Sequence, residues 1–101
     1  MRKGQHQREH TRRSRQGLAF KAGRAQEIRE GMIAELGAIN EYERFAEASK
    51  DPKVKKVIDN ITREEKTHFG EFQTVLLKMD SEQKKQLLVG KKEADEAMNG
   101  T

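Results

Sequence analysis

The chain has 101 residues, of which 38% are charged and only 33% are hydrophobic, and its formal net charge is +4. This length allows a single domain, and so small an apolar fraction favours a helical hairpin, an oligomer or partial disorder over a self-sufficient monomeric core. The lack of cysteine excludes disulfides, thiolate metal sites and cysteine nucleophiles, and it is typical of cytoplasmic proteins. Because the sequence has no apolar run of eighteen residues and no secretory signal, we expect no membrane partner.

The positive charge is concentrated at the N-terminus. Residues 1–24 carry eight basic side chains and one acidic side chain, a net +7, whereas the rest of the chain has a net charge of −3. Since this segment is also poor in apolar residues, we predict that residues 1–17 form a disordered basic tail and residues 18–101 the folded domain. Two interpretations of the tail stay open: a solvated arm, or a segment that binds nucleic acid through its phosphates. His6 and His10 lie in the tail at i, i+4 spacing and would bind a metal only if the tail were helical.

A first helix is predicted from about Leu18 to Ser49, a stretch without proline. Its apolar positions alternate in steps of four and three, the spacing of one helix face. A carboxylate, Glu35, occupies the middle of this stripe. The helix ends before Asp51 and Pro52, which suit the N-cap and the first position of a second helix. The stripe consists of Ile28, Met32, Glu35, Ile39, Tyr42 and Ala46.

A second helix is predicted from Pro52 to Met79, and its stripe alternates in the same steps of four and three. Two polar residues of metal-ligand type, Glu65 and His68, interrupt this stripe one turn apart. Each predicted helix therefore carries polar ligand atoms on its apolar side. The second stripe consists of Val54, Ile58, Ile61, Glu65, His68, Phe72, Val75 and Met79.

A short third helix is predicted after Asp80. Asp80 can cap this helix, and Gln83, three residues further on, completes a variant of the capping box. Its apolar side is weak, and Gly90 predicts fraying towards the C-terminus. The sequence thus indicates an all-α fold, an antiparallel two-helix hairpin followed by a short C-terminal helix.

The polar residues within the two stripes can meet. In an antiparallel hairpin that turns near residue 51, Glu35 and Glu65 lie at the same height to within about 3 Å along the helix axes. A carboxylate in an apolar stripe is costly unless it is paired or bound to a metal. Glu from one helix with Glu-x-x-His from another is half of the ligand set of a ferritin-like di-iron centre. Two chains that each donate Glu35, Glu65 and His68 would complete both a four-helix bundle and a metal site.

Purely structural roles for the same residues stay open. His68 could be a core histidine paired with a neighbouring glutamate, Glu64 or Glu65, and Glu35 could pair with a cation of the facing helix. Such a non-enzymatic helical dimer would bind no metal, and its tail would bind nucleic acid with a steep salt dependence. The candidate cations are Arg63 and Lys66.

Two segments carry a family resemblance. Residues 32–42 and 63–72 read MIAELGAINEY and REEKTHFGEF. They resemble the encapsulated ferritins, short ferritin-like proteins packaged inside encapsulin nanocompartments, and also the wider rubrerythrin-like group. The resemblance covers about residues 27–88, and the spacing from Glu35 to the Glu-x-x-His motif agrees with the family.

The resemblance implies a concrete activity. Encapsulated ferritins are two-helix hairpins with a short C-terminal helix that share a di-iron site between two subunits and assemble into rings, typically decamers of five dimers. They oxidise Fe(II) to Fe(III), and the surrounding encapsulin shell stores the mineral. The resemblance carries the metal ligands onto Glu35, Glu65 and His68 and a catalytic tyrosine near the site onto Tyr42. Carboxylates and imidazole suit iron, and manganese or zinc can substitute.

The chain departs from the family pattern at three positions. Ala34 and Gly37 stand where family members often have glutamates of an iron-access site, and Glu41 stands where a tryptophan often precedes the tyrosine. The alternative enzymatic interpretation is a rubrerythrin-like peroxide scavenger that uses the same ligands. The lack of cysteine removes a fused rubredoxin electron donor, which favours the ferroxidase.

Overall fold

The computed structural model describes the backbone of residues 17–100 and the side chains of residues 24–100. Within these residues the fold is all-α and has three helices: α1 (Gly17–Ala48), α2 (Pro52–Met79) and α3 (Ser81–Met98). The three helices that the sequence predicted are confirmed. Of the predicted basic tail, residues 1–16, with His6 and His10, lie outside the described part, and Gly17 begins α1. No described helix combines the length and the apolar character needed to cross a bilayer.

The connection between α1 and α2 is short because nearby residues supply hydrogen-bond partners for the backbone groups at both helix ends. The backbone N–H of Ser49 donates to the carbonyl oxygen of Phe45, 3.0 Å away, and so closes the last turn of α1. The Asp51 carboxylate accepts from the backbone N–H of Lys53 at 2.9 Å, and Pro52 begins α2. Asp51 and Pro52 therefore have the capping roles predicted from the sequence, and α1 and α2 form an antiparallel hairpin.

The hairpin has a thin core. Among the described residues the buried apolar side chains are Ala25, Ala46 and Leu76, and the one buried polar side chain, Thr62, donates from its hydroxyl to the carbonyl oxygen of Ile58. Several larger apolar side chains stay exposed, and such surface is typical of a contact with another molecule. The exposed ones on α1 and α2 are Ile33, Leu36, Phe45, Val54, Val57 and Val75.

The stripe predicted on α2 is only partly the one that packs on α1. Thr62 and Leu76 are buried, whereas Val54 and Val75, predicted to lie in the seam, are 40% and 44% exposed. The seam prediction was therefore wrong at Val54 and Val75, whereas Met79, its last member, is half-buried. The apolar surface of α2 is wider than one packing contact, so α1 covers one part of it and leaves its flank open.

One residue, Asp80, connects all three helices through its backbone N–H and its carboxylate. Its backbone N–H donates to the carbonyl oxygen of Leu76 at the end of α2, and its Oδ1 accepts from the backbone N–H of Gln83 in the first turn of α3. Its Oδ2 lies 3.1 Å from Nη2 of Arg29 on α1. The Gln83 N–H, together with the charge of Arg29, holds the pKa of Asp80 below its ordinary value. The predicted cap of α3 is thus confirmed, and it also ties α3 to α1.

The third helix has little other support from the hairpin. No residue of α3 is buried, and it packs on the end of α2 alone. It continues without a break through Gly90 to Met98, so the predicted fraying at this glycine does not occur. The direction of α3 therefore depends on its first turn.

We expect Asp80→Ala to loosen the first turn of α3. The variant loses the cap and the ion pair, so amide hydrogen exchange there should speed up about five-fold, as for a lost N-cap. The matched variant Asp80→Asn keeps an oxygen that can cap but loses the charge, and it should fall between the parent and Asp80→Ala. Equal exchange rates in all three proteins would contradict this role for Asp80.

Candidate metal centre

Three ligand side chains meet halfway along the hairpin. Glu35 comes from the middle of α1, and Glu65 and His68 come from the middle of α2, three residues apart. Each offers one ligand atom, and these atoms all lie within 4.8 Å of one another. The antiparallel connection at residues 49–51 brings them to the same height, as the residue count from the turn predicted.

The three side chains also contact one another directly. Nδ1 of His68 lies 3.1 Å from Oε1 of Glu65 and 3.8 Å from Oε2 of Glu35. The carboxyl groups of Glu35 and Glu65 lie beside each other, with a ligand atom of each within 4.8 Å of the other. Both glutamate side chains are largely covered, at 18% and 19% exposure, whereas His68 is 50% exposed. The cluster therefore lies at the edge of the helix contact and opens to one side of the hairpin.

The electrostatics of the cluster favour a cation between the carboxylates. The carboxyl group of Glu35, which can donate a hydrogen bond to Glu65 when it holds a proton, and the contact with His68 lower the pKa of Glu65 in spite of burial, which raises it. The hydrogen bond to Glu65 and the negative charges of Glu35, Glu65 and Glu71 raise the pKa of His68. The raised pKa of His68 thus favours a positively charged imidazole beside the negative charge of Glu65.

The donor set fits a divalent transition metal. Two carboxylates and an imidazole are hard-to-borderline ligands that suit iron, manganese or zinc. Ligands of one such ion lie about 2.1 Å from it and hence about 3 to 4 Å from each other, so the cluster needs only small side-chain rotations to hold one. Three protein ligands leave further coordination positions open on the exposed side, where His68 lies.

The contacts of His68 and Arg63 support the purely structural roles of the cluster only in part. His68 does have the glutamate partner, Glu65, that a purely structural role would need, but its half-exposed ring is not that of a core histidine. Arg63, a candidate partner of Glu35, donates instead to Oδ1 of Asn60 at 2.9 Å. The placement of two carboxylates, those of Glu35 and Glu65, side by side is not expected of residues that serve only stability.

The other predicted site residue, Tyr42, lies further along α1. It is half-buried, seven residues after Glu35 and so about 10 Å towards the helix connection. Its catalytic role stays a prediction. Glu71, exposed and one turn beyond His68, adds negative charge near the imidazole.

A packing contact next to the cluster was missed by sequence reasoning. The ring of Phe72 on α2 lies against Gly31 on α1, where a Cβ atom would come within 2.9 Å of Cε1 and Cζ of the ring. A glycine inside a helix, one turn before a candidate ligand, was the available signal, because glycine weakens a helix interior and needs a reason there.

We expect His68 of the metal-free protein to titrate above an ordinary histidine. Glu65→Gln should lower the pKa of His68 because the amide carries no negative charge, and the matched variant Glu93→Gln, at an exposed position of α3, should change it less. The imidazole signals in an NMR titration, assigned with His68→Gln, measure the shift. A pKa of His68 at or below the ordinary value in the parent would contradict the geometry described above.

The chain is similar in sequence to known proteins. No family model matches the chain. It is 46% identical over 69 residues to a ferritin-like-encapsulin shell fusion protein of Pyrococcus furiosus, and 41% identical over 56 residues to the encapsulin nanocompartment cargo protein EncB of Myxococcus xanthus. These matches cover 68% and 55% of the chain, but they span only 20% and 35% of the two relatives.

A solved structure extends the similarity to the fold. The crystal structure of the encapsulated ferritin domain from Pyrococcus furiosus matches with a TM-score of 0.74 at 43% sequence identity. The match covers 75% of this chain and 78% of that domain. Identity at this level over most of both chains, together with the same helical architecture, shows that the chain belongs to the encapsulated ferritin family.

Proposed function

We propose that the chain is a ferroxidase that oxidises Fe(II) to Fe(III) at a di-iron site shared between two subunits. The observation that carries the proposal is the convergence of Glu35, Glu65 and His68, whose ligand atoms lie within 4.8 Å of one another. Iron, rather than manganese or zinc, is inferred from membership of the encapsulated ferritin family. Tyr42 is proposed as a further residue of the catalytic site.

A second copy of the chain completes the proposed site. One chain supplies one Glu and one Glu-x-x-His, which is half of the di-iron ligand set of a four-helix bundle. The helical spacing places Val57, His68 and Val75 on one side of α2, and the two valines are 56% and 44% exposed. A partner hairpin laid on this side would bury these side chains and bring its own three ligands to the cluster. Burial of the apolar flank and completion of the site thus favour the same dimer.

The chain's own residues have distinct parts in this chemistry. Glu35 and Glu65 provide the negative charge that attracts a divalent cation, and His68 provides a neutral nitrogen ligand once its proton has left. Bound iron would supply one-electron oxidation, with dioxygen or peroxide as the acceptor. Because the neighbouring carboxylates raise the pKa of His68, a metal ion competes with the proton for the imidazole, and its binding weakens as the pH falls.

Association with an encapsulin shell is the proposed setting. One relative is named as a fusion with an encapsulin shell and the other as an encapsulin cargo protein. We infer that this chain likewise works inside an encapsulin nanocompartment in the cytoplasm, as a ring of dimers that oxidises iron for storage or detoxification. A two-helix hairpin has too little interior to enclose a mineral, so storage falls to the shell.

Anaerobic titration of the metal-stripped full chain with Fe(II), followed by exposure to oxygen, tests the activity. We expect saturation near one iron per chain and rapid oxidation. Glu65→Ala should show no saturable Fe(II) binding, and its initial oxidation rate should be at least ten-fold lower, because the variant lacks a metal ligand. Glu93→Ala is the matched control, since it makes the same change at an exposed position of α3, outside the apolar flank of α2, and should behave as the parent.

Absence of saturable binding, or equal behaviour of Glu65→Ala and Glu93→Ala, would exclude the ferroxidase. The remaining interpretation would then be a helical interaction module, for which salt-dependent binding of nucleic acid by residues 1–24 is the measurement to make.

Sedimentation velocity tests the proposed dimer surface. Val57→Asp places a charge in the exposed apolar flank, so it should weaken the dimer at least ten-fold. Thr67→Asp adds the same charge at an exposed polar position of α2 and should leave the dimer intact. A dimer equally stable in both variants would exclude this face as the interface.

A further inference from the structure

Gly31 and Phe72 form an unusually close contact between α1 and α2. A Cβ atom at Gly31 would lie 2.9 Å from Cε1 and Cζ of the Phe72 ring and 3.2 Å from Cε2. Carbon atoms in van der Waals contact stay about 3.5 Å or more apart. The ring therefore occupies the space that any other side chain at position 31 would need.

This contact forms the layer of packing next to the ligand cluster. Gly31 precedes Glu35 by four residues, and Phe72 follows His68 by four residues. Because the helices are antiparallel, both steps lead about 6 Å in the same direction, away from the helix connection. One helical turn of each helix thus separates the contact from the ligands.

The distances among the three ligand side chains depend on the separation of the two helices. Glu35 belongs to α1, whereas Glu65 and His68 belong to α2, so any change in helix separation alters the distance from the first to the other two. The connection that joins the helices lies at residues 49–51, fourteen or more residues from Glu35 and Glu65. In the direction away from this connection, the ring of Phe72 lies against Gly31 one turn beyond the ligands.

We propose that the contact between Gly31 and Phe72 sets the separation of α1 and α2 at the cluster, so that both are positioning residues for the metal ligands. This inference rests on the proposed function, in which Glu35, Glu65 and His68 bind a metal. Ligand constellations work only when they are held to within about 0.5 Å, and that precision must come from the packing around them. A ring packed on a glycine is such a support, because it leaves no space for the helices to approach further.

Two other glycines supply matched controls. Gly37 on α1 and Gly70 on α2 also lie inside helices, but a Cβ atom at either would meet nothing within 4 Å. Gly31→Ala and Gly37→Ala therefore make the same chemical change in the same helix, and both favour helix formation. Only the first brings the new methyl group against Phe72.

Binding of Co(II) to the metal-stripped full chain tests the proposal, because Co(II) reports both affinity and ligand geometry through its visible absorption. We expect Gly37→Ala to match the parent in dissociation constant and spectrum. Gly31→Ala should bind Co(II) about ten-fold more weakly, the low end of the effect of residues that support metal ligands, and its spectrum should change. Circular dichroism and sedimentation of each variant check the fold and the oligomeric state.

A compensating variant makes the test specific. Phe72→Leu removes the ring from Gly31 and should also weaken Co(II) binding. In the double variant the alanine methyl group takes up space that the ring has left, so binding should recover relative to either single variant. Recovery of Co(II) binding in the double variant would support a direct contact between positions 31 and 72. If the two substitutions weakened binding independently, the double variant would bind more weakly than either single variant.

Several outcomes would overturn the proposal. Equal Co(II) affinity of Gly31→Ala and Gly37→Ala would exclude it while leaving the metal site intact, as would a double variant that binds no better than the single ones. If Gly31→Ala fails to fold, unchanged Co(II) binding by Phe72→Leu excludes it. A parent that binds no Co(II), or binds it as Glu65→Ala does, would exclude the proposed function itself and this inference with it.

Discussion

Two carboxylates held side by side between helices require a compensating positive charge, and the rest of this hairpin is arranged around that requirement. Glu35 and Glu65 are largely covered and lie beside each other, and the imidazole of His68 lies against both. The raised pKa of His68 and the lowered pKa of Glu65 express one preference, for negative charge on Glu65 and positive charge beside it. A divalent cation satisfies this preference more completely than a proton, because it carries more charge and accepts several ligand atoms.

The proposed metal site and the proposed dimer both use the open side of the hairpin. The cluster faces a flank where apolar side chains such as Val57 and Val75 are exposed, although the core of the hairpin contains few buried residues. A chain with so thin a core gains most by burying its flank against another helix pair. The proposed dimer would contribute stability and metal ligands through one surface, so binding and association would be thermodynamically linked.

Two side chains outside the cluster connect it to the remaining structure. Asp80 joins the ends of α1, α2 and α3 and so fixes how the third helix leaves the hairpin. Phe72, packed on Gly31, supports the helix spacing one turn from the ligands. The encapsulated ferritin fold therefore positions its polar residues through a few contacts between helices and not through a large core.

The sequence by itself determined the helices and the height at which their polar residues meet. Asp51 with Pro52, and Asp80 with Gln83, mark helix starts through hydrogen bonds that involve only nearby residues, which is why α2 begins and ends at the predicted residues. The rise per residue in a helix is constant, so equal counts from the turn brought Glu35 opposite Glu65 and His68.

Only the tertiary structure decided which part of each apolar stripe is covered. Thr62 and Leu76 of α2 are buried whereas Val54 and Val75 are exposed, and His68 lies at the margin instead of inside the seam. The apolar surface of α2 is wide enough for two neighbours, and residue spacing identifies a face without saying which neighbour covers it. The fit of Phe72 against Gly31 depends on shapes brought together from distant parts of the chain, and no local pattern encodes that fit.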